Sequence, residues 1–139
     1  MNASFEEKSV WIQLISMVGV LGSYFVVAAH MLSRGVTVVA AFVPLFFVAV
    51  VLLVVVLVAG HTVVAIASKP EGRDERDRLI GWRAERNSSW ILSVGVLTAI
   101  TGMVLAIPNV WIAHLLMLSM LLSEVARYVF QLVYYRRGM

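Results

Sequence analysis

Long apolar runs recur four times along the chain, separated by short polar breaks and one extended charged block. A helix needs about 20 apolar residues to cross a bilayer core of about 30 Å, and each run meets that length. The first runs from about Trp11 to Leu32 and is followed by Ser33-Arg34-Gly35, with Gly35 suited to end a helix. The second runs from about Val36 to Gly60, and its apolar character continues past His61 to about Ala67. That is longer than one crossing needs, so the helix either tilts or emerges at its end. Pro44 lies inside this run and predicts a kink that frees the carbonyl of Ala40. The third runs from about Ser89 to Ile107, with a tight turn at Pro108-Asn109, and the fourth from about Val110 to Tyr134. Their many β-branched residues would favour strand in water. In lipid the backbone must satisfy its own hydrogen bonds, so helix is predicted. The expected fold is all-α: a single transmembrane domain over residues 1–139, an up-down-up-down bundle of four transmembrane helices.

Composition supports a lipid solvent. Hydrophobic residues make up 61% and charged residues 14%, against about 45–50% and about 25% in soluble domains. With no cysteine, disulfides, thiolate metal sites, iron–sulfur clusters and thiol catalysis are excluded. The net charge of +3 does not point to nucleic acid, because the basic residues alternate with acids and form no aromatic-basic surface. The start, Met1-Asn2-Ala3-Ser4-Phe5-Glu6-Glu7-Lys8, is acidic where a cleaved signal peptide is basic, so the first run is expected to be retained.

Charge placement predicts orientation. Lys8, Lys69, Arg73, Arg76, Arg78, Arg83, Arg86, Arg136 and Arg137 fall on one side of the predicted spans, and only Arg34 on the other. By the positive-inside rule both termini and the charged loop, about residues 68–88, are cytoplasmic, in a multi-pass protein of the inner (plasma) membrane.

The charged block Lys69-Pro70-Glu71-Gly72-Arg73-Asp74-Glu75-Arg76-Asp77-Arg78 leads toward the third run, and residues 74–86 can form a helix that continues into it. Asp74 and Arg78, four residues apart, are an expected ion pair. Leu79, Ile80 and Trp82 give this helix an apolar edge. Arg73, Asp74, Glu75, Arg76, Asp77, Arg78 and Trp82 are therefore a candidate cytoplasmic interaction segment, for a protein or for anionic headgroups. A solvated helix extension that only sets topology is the plainer alternative.

Glu124, with Arg127 three residues on, carries the charge inside an apolar run. An ionisable group there costs about 2.5–3.5 kcal/mol on insertion scales and marks a candidate site. Ser123, Gln131 and Ser119 fall near the same stripe, and Gln13, Ser16, His61, Thr62 and Ser93 lie at the same depth on other helices. Together they can line an inward-opening polar cavity for a cation or proton. Equally, Glu124 and Arg127 can neutralise each other and glue helices or protomers together, with Arg127 reaching toward the interface.

No cofactor is expected. The alternative is haem or a metal through His30 and His114, both near the outer face, with Met31, Met103 and Met117 as soft neighbours. Small residues predict close helix approach: Gly19 and Gly22 in the first run, Gly95, Ala99, Gly102 and Ala106 in the third, Ser119, Ser123 and Ala126 in the fourth. The first, third and fourth helices are expected to pack centrally, with the second more exposed to lipid. Four helices enclose little interior, so a homo-oligomer, a homodimer for example, or a complex with another membrane protein is expected.

Asp74-Glu75-Arg76-Asp77-Arg78-Leu79-Ile80 between two hydrophobic hairpins resembles a family of small prokaryotic integral membrane proteins of unknown function. Their shared mark is an Asp-Glu-Arg-acid run, then isoleucine three residues later, before the third span; Ser4-Phe5-Glu6-Glu7-Lys8-Ser9 with Trp11 is similar to the start of bacterial members. The resemblance implies a four-helix inner-membrane protein and supplies no activity or catalytic residue. Glu7-Lys8-Ser9-Val10-Trp11-Ile12 and Glu85-Arg86-Asn87-Ser88-Ser89-Trp90-Ile91 also resemble each other, through duplication or through shared interface chemistry.

No Ser–His–acid set, metal-protease helix or phosphate loop occurs, so a non-enzymatic role is expected: a structural, regulatory or accessory component. The alternatives are an ion- or proton-coupled transporter using Glu124 and a haem- or metal-binding protein. Small four-span multidrug exporters place their essential glutamate in the first span, which here contains none.

Overall fold

The computed structural model describes residues 3–69 and 72–138, so Pro70 and Glu71 of the charged block lie outside it, as do Met1, Asn2 and Met139. The described residues form four long helices and one 3-10 turn, with no strand among them. All four helices are long and apolar enough to cross a membrane.

Helix α1, Phe5–Ser33, starts where the Ser4 hydroxyl accepts the Glu7 backbone N–H, with Glu6 and Glu7 in its first turn. Those carboxylates complement the positive end of the helix dipole. It stops at Gly35, whose φ of 86° reverses the chain while the Val36 N–H bonds the Met31 carbonyl.

Helix α2 spans Val43–Ala67 after a 3-10 turn at Val39–Phe42. The kink expected at Pro44 is absent, because Pro44 occupies the first turn of α2. The Ala40 carbonyl accepts the Val43 N–H and is not freed. A first-turn proline has no helical N–H bond to lose, so it starts the helix and does not bend it.

Helix α3, Glu75–Val104, joins the charged segment and the third apolar run in one uninterrupted element. Asp74 and Asp77 cap its start reciprocally, each carboxylate accepting the other's backbone N–H. The expected Asp74–Arg78 ion pair is therefore not formed: the Asp74 carboxylate faces the helix start. The turn that follows passes through Ala106 at φ 56°, and helix α4, Asn109–Arg137, begins after Pro108.

The packing order differs from expectation. Helix α4 is the hub, resting on α3 along its length and on α1, while α2 rests on α1. Helix α3 has α4 as its main partner and is less central than expected, while α2 is the least buried helix, as expected, with Ala49 its one buried residue. The buried residues of α3, Ile80, Ala84, Ser88, Gly95, Ala99 and Gly102, form one seam. A single partner, α4, fills a seam of such small residues at close range. Ala106 lies outside the helix and takes no part. Gly19 and Gly22 meet no neighbour within 4 Å, so the small face of α1 is unpartnered within the chain. Tyr24, Ala28, Phe42, Ala49 and Val110 form one core cluster, and Val10, Tyr128 and Leu132 a second. Most of the remaining valine, leucine, isoleucine and phenylalanine side chains point outward.

Candidate functional site

The start of α1, the end of α2, the start of α3 and the end of α4 meet, and their polar side chains form a collar. Arg73 Nε donates to Glu6 at 3.2 Å, and Arg136 Nε to Glu7 at 3.3 Å. The Tyr135 hydroxyl donates to Asp77 at 2.9 Å, and Lys8 Nζ to Ser68 Oγ at 2.8 Å. Arg136 also lies over the Trp11 ring, 5.7 Å from its centroid. Every helix contributes, so the charged segment is fastened to both ends of the chain. The Arg73–Glu6 and Arg136–Glu7 pairs include well-exposed arginines, and such pairs are worth about 0–1 kcal/mol each. The collar's effect lies in placement.

Next to the collar, Arg127 and Gln131 of α4 line a cavity of about 210 Å³ with Arg73, Asp77, Arg78 and Glu85. The candidate residues from the fourth run are thus brought beside those of the charged segment. Trp82 reaches the same cavity and is otherwise exposed. Arg76 reaches the Tyr135 carbonyl at 3.5 Å, and Glu75 opens α3.

Glu124 and Arg127 form an ion pair with side chains 35% and 29% exposed. Arg127 also donates to the Tyr128 hydroxyl at 2.9 Å and lies over that ring at 4.8 Å. Its Nε is buried and has no acceptor among the described residues. Ser123 faces α3 and donates to the Ser88 carbonyl at 3.2 Å. Glu124 therefore has its countercharge one turn away.

The broad polar cavity expected from the sequence is divided. His61 pairs with Ser9 at 2.9 Å, between α2 and α1, and Gln13 joins at Ser9. Thr62 and Ser93 are exposed and donate to carbonyls of their own helices. Equal depth along the helices did not give them a common face, because each hydroxyl is already satisfied one turn back.

His114 does not face His30. Its Nδ1 lies 2.7 Å from the Val110 carbonyl, which can only accept, so Nδ1 carries the proton. Nε2 then accepts the Tyr24 hydroxyl at 3.0 Å, and the ring packs edge-on against Phe42. Both nitrogens are engaged. His30 sits exposed in the last turn of α1. No cluster of three metal-ligating His, Cys, Asp or Glu side chains occurs among the described residues.

Sequence reasoning missed the Tyr24–His114 and Tyr135–Asp77 bonds and the carboxylate links from Glu6 and Glu7. The acids and arginines signalled charge pairing in general, but nothing in their spacing named the partners. No family model, curated protein or solved structure matches the chain.

Proposed function

We propose that this is a multi-pass membrane protein that works without catalysis, as a structural or accessory component, through helix packing and its charged segment. In this reading the helices cross the bilayer up-down-up-down, and both termini and the collar lie on the cytoplasmic side of a prokaryotic inner membrane. The partner is a second copy of the chain or another membrane protein.

One observation supports this most: the charged segment is tied to both chain ends by Arg73–Glu6 and Tyr135–Asp77, with Arg136–Glu7 joining those ends to each other. A segment held this way presents a fixed surface. Glu124 favours the same reading, since Arg127 already neutralises it and a carrier carboxylate must be free to exchange its cation. The outward face of α3 supplies contact area for the partner, with Leu97, Ile100 and Val104 exposed.

The test combines photo-cross-linking from Leu97 in intact membranes with proton flux in proteoliposomes. The expected result is a discrete protein adduct, from a second copy or another membrane protein, and no flux that depends on Glu124. Flux abolished by a folded Glu124→Gln variant, or the absence of any protein adduct, overturns the proposal.

A further inference from the structure

We propose that the charged end of α3 holds an anionic phospholipid headgroup, its phosphate bound between Arg83 and Arg86. The inference rests on the membrane reading above and adds a ligand site to it.

Leu79, Trp82, Arg83, Arg86 and Trp90 recur at spacings of three, one, three and four residues, which places them along one side of α3. All are exposed, Trp82 by 68% and Trp90 by 60%. The first four border an open groove of about 520 Å³. This side lies away from the seam of Ile80, Ala84 and Ser88 that α4 covers.

Arg83 and Arg86 bring two cations to the groove and form no ion pair among the described residues, where the ion pairs use Arg73, Arg127 and Arg136. Three nearby acids are engaged elsewhere, while Glu75 opens α3 one turn before Leu79. Asp74 and Asp77 cap the helix, Asp77 also accepts from Tyr135, and Glu85 faces the cavity beside Gln131. Arg83 is steadied over the Tyr134 ring at 5.6 Å, and the Tyr134 hydroxyl in turn accepts from Asn87.

Height along the helix selects a lipid over a soluble anion. Arg86 lies one turn below Trp90, where the polar part of α3 gives way to its apolar run. Tryptophan favours the headgroup level of a bilayer. Arginine recognises phosphate through paired N–H donors. Trp82 and Leu79 give the groove apolar walls beside the two cations.

The test is native mass spectrometry of the full chain released from nanodiscs of equimolar phosphatidylglycerol and phosphatidylcholine. The wild type is expected to retain phosphatidylglycerol preferentially. Arg83→Gln/Arg86→Gln should reduce that preference by roughly tenfold or more, through loss of charge-assisted hydrogen bonds to the phosphate. Arg76→Gln/Arg78→Gln, which removes the same charge elsewhere on α3, should leave it largely intact. Equal losses in both double variants would reveal general attraction only and overturn the site. Retention in Arg83→Gln/Arg86→Gln would do the same, as would a protein adduct, in place of lipid, from a photo-cross-linker at Trp82. A chain that never enters the discs overturns the membrane reading as well; one that enters without preference overturns only the headgroup site.

Discussion

Gly95 of α3 packs directly against Ser119 of α4: a Cβ added to Gly95 would overlap the Ser119 hydroxyl and Cβ, and would still sit only 3.7 Å from the Ser119 Cα. Gly95→Ala should therefore destabilise the α3–α4 pair by about 1–3 kcal/mol, the usual range for overpacking. Ser119→Ala should fail to rescue it, since the clashing Cβ remains. Ser119→Gly should rescue it, since it leaves only backbone opposite the new methyl group, at ordinary van der Waals distance. Thermal unfolding of the three variants in detergent checks the ranking, and rescue by Ser119→Ala would contradict the geometry.

Ala106 holds a left-handed conformation, φ 56°, in the turn between α3 and α4. The Ile107 N–H bonds the Gly102 carbonyl at 3.0 Å and holds the turn in place. A non-glycine residue pays about 1–2 kcal/mol there. Ala106→Gly should raise the midpoint of thermal unfolding, and Ala106→Val should lower it. A lowered midpoint for the glycine variant would show that the turn carries no such strain.

Removing either partner of Glu124–Arg127 strands a charge among apolar helices. Glu124→Gln and Arg127→Gln should each cost about 1–3 kcal/mol, between the ranges for exposed and buried pairs. The double variant should cost less than the two single losses added together. A double-mutant cycle in denaturant measures the coupling, and strict additivity would dismiss the pair as a stabilising contact.

The Tyr135–Asp77 bond fastens the start of α3 to the end of α4. Tyr135→Phe should cost about 1 kcal/mol, typical of one hydrogen bond lost. Hydrogen exchange should accelerate over residues 75–80 and remain unchanged near Ala106 at the opposite end. Uniform acceleration would mean that the collar is not a local clamp.

Much of this architecture is legible along the chain. The four apolar runs form the helices expected of them, each long and apolar enough to cross a membrane, and Gly35 ends α1 because it accepts a left-handed turn. The charged segment reads correctly as the start of α3. Pro44 misleads because the same residue either kinks a helix or begins one, and the 3-10 turn before it leaves no periodic mark.

Contacts between helices are a different matter. Gly19 and Gly95 look alike in the sequence, yet one meets nothing and the other touches α4. Tyr24 and His114 stand 90 residues apart and share a hydrogen bond. Local composition dictates that a segment is helical and how long it runs, since those depend on neighbours within a turn or two. Which stripe of each helix turns toward another depends on the rotation and pairing of whole helices, and these emerge only when all the side chains must fit at once.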